Sequence, residues 1–152
     1  MRVAVLGSGS FAAGDFIDLL LEDGRFDVFG IGRSPEKPNA FRPYARRSRE
    51  RFQYVQVDLN DDTDALHAAL DAFAPEYVVN YAAQGDDAAS WSHPEDFFRT
   101  NCIALSRLIE YLKGRPFLRR FLQISSSSVY GAAPRNLTED TRLEPASPYG
   151  VS

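Results

Sequence analysis

Five short apolar runs, each followed by residues with a different period, constrain this chain more than any other feature. They are Val3–Leu6 (VAVL), Val28–Ile31 (VFGI), Tyr54–Val57 (YVQV), Tyr77–Tyr81 (YVVNY) and Phe121–Ile124 (FLQI). Each is rich in β-branched or aromatic residues and too short for a buried helix, so each reads as a strand buried on both faces. Helical spacing fills the gaps. Phe16, Ile17, Leu20 and Leu21 repeat at one turn, as do Leu66, Ala69, Leu70 and Phe73 behind an acidic NDDTD start that suits a helix N-terminus. A longer helix is expected from Pro94 to Lys113, stopped by Gly114. Strands alternating with helices give a parallel sheet with right-handed crossovers. The expected fold is a Rossmann-type, doubly wound α/β sheet.

The length of 152 residues suits one domain, expected to span the whole chain. A formal charge of −4 argues against a general nucleic-acid binder, which carries a basic face. The single cysteine, Cys102, excludes an internal disulfide framework and fits a reducing compartment. No apolar run reaches the ~20 residues of a membrane span. A strand-like run from Arg2 leaves no room for a signal peptide, so a cytoplasmic protein is expected. His67, His93 and Cys102 show no ligand spacing, so no metal is expected.

VLGSGSFAAGDF (Val5–Phe16) follows the first strand and opens the first helix. Small residues there let backbone N–H groups approach a pyrophosphate at a helix N-terminus. The stretch from Arg33 to Arg51 fits neither period. It carries Arg33, Lys37, Arg42, Arg46, Arg47, Arg49 and Arg51, and reads as a solvated surface loop. At the end of strand two, GIGRSPEKP offers no acid to a ribose 2′-hydroxyl. Arg33 suits a 2′-phosphate instead, so NADP is expected, with NAD possible.

With these residues in view, the chain resembles the N-terminal part of an extended short-chain dehydrogenase/reductase, the superfamily of nucleotide-sugar epimerases and dehydratases. The family's Gly-x-x-Gly-x-x-Gly turn falls on Gly7, Ser10 and Ala13, with Phe11 at the aromatic position that follows. Only the first of the three is glycine. The resemblance implies that these residues hold the cofactor, together with Asp58 and Leu59 of the VDL run near the adenine. Asp58 is also open to reading as a capping or loop carboxylate. It implies the same for Ala82 and Ala83 of YAAQ, where the backbone approaches the cofactor, and for Asn101, which organises the site or is a satisfied buried amide. Asn80, inside an apolar strand, reads as structural. Apolar residues on a second face of the long helix imply a homodimer through Pro94–Lys113.

FLQISSSSVYG (Phe121–Gly131) carries the sharpest match. The family's catalytic hydroxyl stands three residues before the valine of Val-Tyr-Gly, which here is Ser126. Ser126 would hydrogen-bond the substrate oxygen that gains or loses a proton. Dehydratases of the family place an acid just before that valine, where this chain has Ser127 and Ser128. The final SPYGVS reads as a serine N-cap, a proline at the first helical position and Tyr149 in the first turn. It resembles the opening of the family's Tyr-x-x-x-Lys pair, whose two side chains share one helix face. In such a pair the ammonium makes a phenolate accessible near neutral pH.

The sequence ends one residue before that lysine, so the resemblance implies an N-terminal portion without the sugar-binding lobe. The expected whole protein is an NAD(P)-dependent nucleotide-sugar epimerase or ketoreductase with Ser126 and Tyr149 catalytic. A 4,6-dehydratase and a non-catalytic NAD(P)-sensing module remain alternatives. The 152-residue chain alone is expected to show little or no turnover.

Overall fold

The computed structural model describes residues 1–132 and 136–152. Two compact units divide the chain, one of residues 1–82 and 108–124, the other of residues 83–107 and 125–152.

The first unit is built on five strands: β1 (Arg2–Leu6), β2 (Asp27–Gly32), β3 (Phe52–Gln56), β4 (Tyr77–Asn80) and β5 (Arg120–Gln123). They lie in the order β3-β2-β1-β4-β5, all parallel. Val3 registers with Val28 on one side and Tyr77 on the other. The winding reverses between β1 and β4, so the crevice at a doubly wound sheet's ligand end opens beyond Leu6 and Asn80. These are the expected strands, with ends shifted by up to two residues, but β5 at the sheet edge is largely exposed rather than buried.

Alternation across the pleat divides the core. Val3, Val5 and Val28 pack with Ala13, Ile17 and Leu20 of α1 (Phe11–Asp23). Phe29, on the opposite face, meets Phe73 of α2 (Thr63–Phe73) with ring centroids 4.9 Å apart. Ser10 caps α1 and Gly24, at φ 73°, ends it. Asn80 is buried in β4 and satisfied, its amide donating to Gln123 and its oxygen accepting from the Ala82 N–H.

The arginine-rich stretch is not a solvated loop. It folds as three short 3₁₀ turns, Asn39–Phe41, Pro43–Arg46 and Arg49–Arg51. Tyr44 is buried against Phe52, ring centroids 4.8 Å apart, and Pro43 packs on Gly14 of α1. Arg46 and Arg47 grip Asp18 of α1 at 3.0 and 2.7 Å, Arg42 and Arg49 grip Glu36 at 2.5 and 2.8 Å, and Arg51 reaches Asp27 at 3.8 Å. The order comes from these partners, which no local period records.

The second unit holds α3 (Asp87–Ser92), α4 (Pro94–Phe97), a π-helical segment (Phe98–Ala104), the start of α5 (Leu105–Leu112), a 3₁₀ turn (Ser127–Tyr130) and α6 (Pro148–Val151). The single helix expected over Pro94–Lys113 is therefore interrupted. The buried positions along this run are Phe97, Ala104, Leu108 and Leu112, while Leu105 is half-buried. Gly114, at φ 72°, lies where the stop was expected. Among the described residues, no helix is long and apolar enough to cross a membrane.

Candidate functional site

In the first unit, the turn after β1 is fixed by one glycine. Gly7 sits at φ 69°, and a Cβ there would lie 2.5 Å from the Ala82 nitrogen. No side chain fits, so the backbones after β1 and β4 run in direct contact. The other two positions do different work. Ser10 Oγ accepts the Ala13 N–H at 3.3 Å, capping the helix, while Ala13 is buried against the sheet. Gly9 has nothing near its missing Cβ. The Phe11 and Ala12 N–H groups at the start of α1 have no acceptor among the described residues, and the Phe11 ring stands exposed.

At the end of β2 the arginines sort themselves. Five are ion-paired as above, whereas the exposed Arg33 guanidinium and Lys37 ammonium have no partner among the described residues. Side chains of β3 hold the backbone below them. Gln56 Nε2 donates to the Arg33 carbonyl at 3.1 Å, and the Tyr54 hydroxyl donates to the Gly32 carbonyl at 3.3 Å and to that of Ser34. Burial, with Glu36 adding to it, raises the Tyr54 phenol above its ordinary value and keeps it a donor. Gly32, Tyr54 and Gln56 were not among the sequence candidates. The only trace they leave is a glycine at alternate positions of β2, Gly30 and Gly32.

Asp58 accepts both N–H groups of Asn60 offered to its Oδ1, at 2.8 and 3.1 Å, and its own N–H donates to Asp62. That is the geometry of a loop carboxylate shaping its own turn. Leu59 beside it is buried.

In the second unit, Asn101 lies in the π segment with its amide fully occupied. Its oxygen accepts the Gln84 N–H at 2.8 Å, and its nitrogen donates to the Gln84 carbonyl and to Ser152 Oγ at 3.0 and 2.9 Å. It fastens the segment that starts at Ala83. Ser126 caps the 3₁₀ turn by accepting the Ser128 N–H at 3.1 Å, which leaves its own proton free to donate. Ser147 caps α6 by accepting the Gly150 N–H at 3.0 Å, with Pro148 at the first helical position.

Tyr149 stands edge-on to Phe97, with ring centroids 6.0 Å apart and its hydroxyl near Gly85. The two catalytic candidates lie on touching elements. A Cβ at Gly150 would come 2.8 Å from the Ser128 carbonyl, so α6 rests directly on the serine turn. The glycine of Val-Tyr-Gly has a physical reason as well. Gly131 sits at φ 66°, and a Cβ there would meet the Glu144 carbonyl at 2.1 Å. Among the described residues no three His, Cys, Asp or Glu side chains gather where they could hold a metal ion.

Residues 3–152 match the model of the NAD dependent epimerase/dehydratase family. The chain belongs to that family. Among its curated relatives, a protein named as an uncharacterized UDP-glucose epimerase of Bacillus subtilis (strain 168) is 28% identical, with all of this chain covering 48% of the relative. A dTDP-glucose 4,6-dehydratase of Haemophilus influenzae is 24% identical with the same coverage. Among solved structures, MoeE5 in complex with UDP-glucose and NAD superposes with a TM-score of 0.81 at 29% identity, over 99% of this chain and 45% of that one. A UDP-glucuronic acid 4-epimerase from Bacillus cereus, bound to UDP-glucuronic acid and NAD, gives 0.82 at 28% identity, over 99% and 48%. The chain thus spans about half the length of the relatives it matches.

For an epimerase/dehydratase-family member, the dinucleotide must find a close backbone approach and unpaired donors. The Gly7 turn supplies the first, and the Phe11 and Ala12 N–H groups supply the second. The residues present fit the group, with Arg33 and Lys37 as free cations at the neighbouring strand end.

Proposed function

We propose that this chain is the dinucleotide-binding half of a nucleotide-sugar epimerase or ketoreductase that uses NADP. The observation that carries the catalytic part is the packing of the serine turn against the start of α6, which puts Ser126 and Tyr149 on adjoining elements of one unit. Ser126, its acceptor side engaged by Ser128, has a proton to donate to a sugar oxygen. Tyr149 takes the proton from that oxygen as the sugar carbon is oxidised and returns it on reduction. The dinucleotide, when bound, accepts and returns the hydride. These 152 residues span about half the length of the relatives, so by themselves they are expected to turn over poorly.

Ser127 and Ser128 support epimerisation or reduction over dehydration, because neither can protonate a leaving hydroxyl as a carboxylic acid does. Exposed Phe98, Ile103 and Ile109 support pairing of two copies through this helical run. The free Arg33, the absence of an acid at Gly32 and the pairing of the neighbouring arginines support NADP.

The test is to incubate the whole protein with UDP-glucose and with dTDP-glucose and to resolve the products by chromatography. A 4-epimer or a reduced sugar is expected; a 4-keto-6-deoxy product would overturn the reading in favour of a dehydratase.

A further inference from the structure

The end of β2 is closed to an acidic residue by a side chain that no local motif marks. A Cβ placed on Gly32 would lie 2.8 Å from the Tyr54 hydroxyl, with the nearest ring carbon at 3.7 Å. The hydroxyl alone is too close; the ring is at ordinary packing distance. That hydroxyl is not a loose end that could swing aside, because it shares its one proton between the carbonyls of Gly32 and Ser34. One strand position earlier on the same face, the Phe52 ring lies 3.1 Å from where a Gly30 Cβ would be. Two aromatic side chains of β3, with Ser8 Oγ at 3.1 Å beside Gly30, therefore fill the strip left by two glycines of β2. The Arg33 carbonyl between the two that Tyr54 caps is held by Gln56. With the carbonyls of residues 32 to 34 turned to β3, what this corner leaves unpaired is the Arg33 guanidinium and, beyond it, the Lys37 ammonium.

A dinucleotide with a free ribose 2′-hydroxyl is held at this position by an acceptor, whereas a 2′-phosphate needs cations and no carboxylate. The geometry points to Tyr54 as a specificity-determining residue. Its hydroxyl, wedged against Gly32, occupies the place of a strand-end acid, presents Arg33 and so selects a 2′-phosphorylated adenosine dinucleotide. This rests on the dinucleotide reading above and adds to it the residue that enforces the choice. Tyr54 acts through position 32 and the 33–34 backbone, so it is a positioning residue.

The test is a cycle of variants, Gly32→Asp, Tyr54→Phe and both together, each titrated with NADPH and NADH by calorimetry. The expected wild-type chain binds NADPH at least tenfold more tightly than NADH, the ratio one charge-assisted pair provides. Gly32→Asp alone is expected to weaken NADPH and gain nothing toward NADH. The double variant is expected to bind NADH about tenfold more tightly than Gly32→Asp does. If Gly32→Asp alone acquires NADH as well as the double variant, Tyr54 is not the wedge and the proposal is overturned.

A melting-temperature cycle guards against a variant that merely folds badly. Gly32→Ala should lower the melting temperature by several degrees with Tyr54 present and by clearly less with Phe at 54. Equal losses in both backgrounds overturn the wedge while an intact NADPH preference leaves the dinucleotide reading standing. A wild-type chain that prefers NADH overturns the specificity claim and keeps the dinucleotide site, whereas one that binds neither overturns both, whatever the melting cycle shows.

Discussion

One missing methyl group lets the backbones after β1 and β4 meet at Gly7. At Gly7 the backbone is left-handed and the Ala82 backbone stands where a side chain would be, so two independent costs fall on one residue. Gly7→Ala is expected to destabilise the chain by about 2–4 kcal/mol in urea unfolding, and dinucleotide binding should be lost even where the fold survives. Gly9→Ala, two residues on, meets open space and should cost well under about 1 kcal/mol. Both lie in the one glycine-rich turn after β1, and packing tells them apart.

His67 shows the same locality in a different currency. It stacks on Tyr111 at 3.6 Å between centroids, Arg115 lies 4.1 Å over the other side of that ring, and the imidazole Nε2 is buried without a partner. Burial first, then the Arg115 charge, holds its pKa below the ordinary value of 6.5 despite Asp64 and Asp71 nearby. As pH falls through 6.5 the unfolded chain therefore takes up the proton before the folded one, and stability declines until the folded value is passed. His67→Phe should keep the stack and flatten stability between pH 7 and 5, as followed by thermal melts; an unchanged slope would show that His67 does not titrate this way.

At the scale of elements, the arginine-rich stretch and the β2 end are neighbours in sequence with opposite duties. Asp18 on α1 accepts from Arg47 and Arg46, and the Arg47 hydrogen bond, followed by the weaker Arg46 one, holds its carboxyl below the usual range despite burial. That stabilisation is present above the unfolded carboxylate pKa near 3.8 and is lost as pH falls toward the folded value. Asp18→Ala is expected to cost about 1–2 kcal/mol near neutral pH, less at high salt, and to leave the NADPH-to-NADH ratio alone. Arg33→Ala should do the reverse, shifting stability by no more than about 0.5 kcal/mol.

The sheet was legible because buried parallel strands are written as apolar runs, and the caps at Ser147 and Gly114 because capping is local chemistry; the cap at Ser10 was not, since that serine was read as a position of the glycine turn. The 39–51 segment was not, since Tyr44 and Arg47 find their partners on β3 and α1. The π segment escaped because the buried Phe97, Ala104, Leu108 and Leu112 keep the spacing of an unbroken α-helix. Ser126 and Tyr149 are proposed through their motif, whereas Tyr54 belongs to no motif and reveals itself only by what it touches.

At the scale of the whole molecule, the first unit carries the turn and the strand-end cations, and the second carries the serine turn and Tyr149. If the proposed roles are right, damage to each unit should be read by a different assay. In the whole protein, Ser126→Ala and Tyr149→Phe are each expected to lower kcat by about 10²–10³-fold while leaving the cofactor dissociation constant within about twofold. Steady-state kinetics beside a cofactor titration checks this, and parallel losses in both would show that the second unit's residues act in binding.

The central claim is that this chain holds a 2′-phosphorylated dinucleotide through its first unit. Calorimetric titration of the chain and of its Arg33→Ala variant with NADPH, with NADH as the comparison, tests it most directly. Tighter NADPH binding by the wild type is expected, with at least a tenfold loss on Arg33→Ala and NADH unaffected. Equal binding of the two dinucleotides, or NADPH binding indifferent to Arg33, would contradict it.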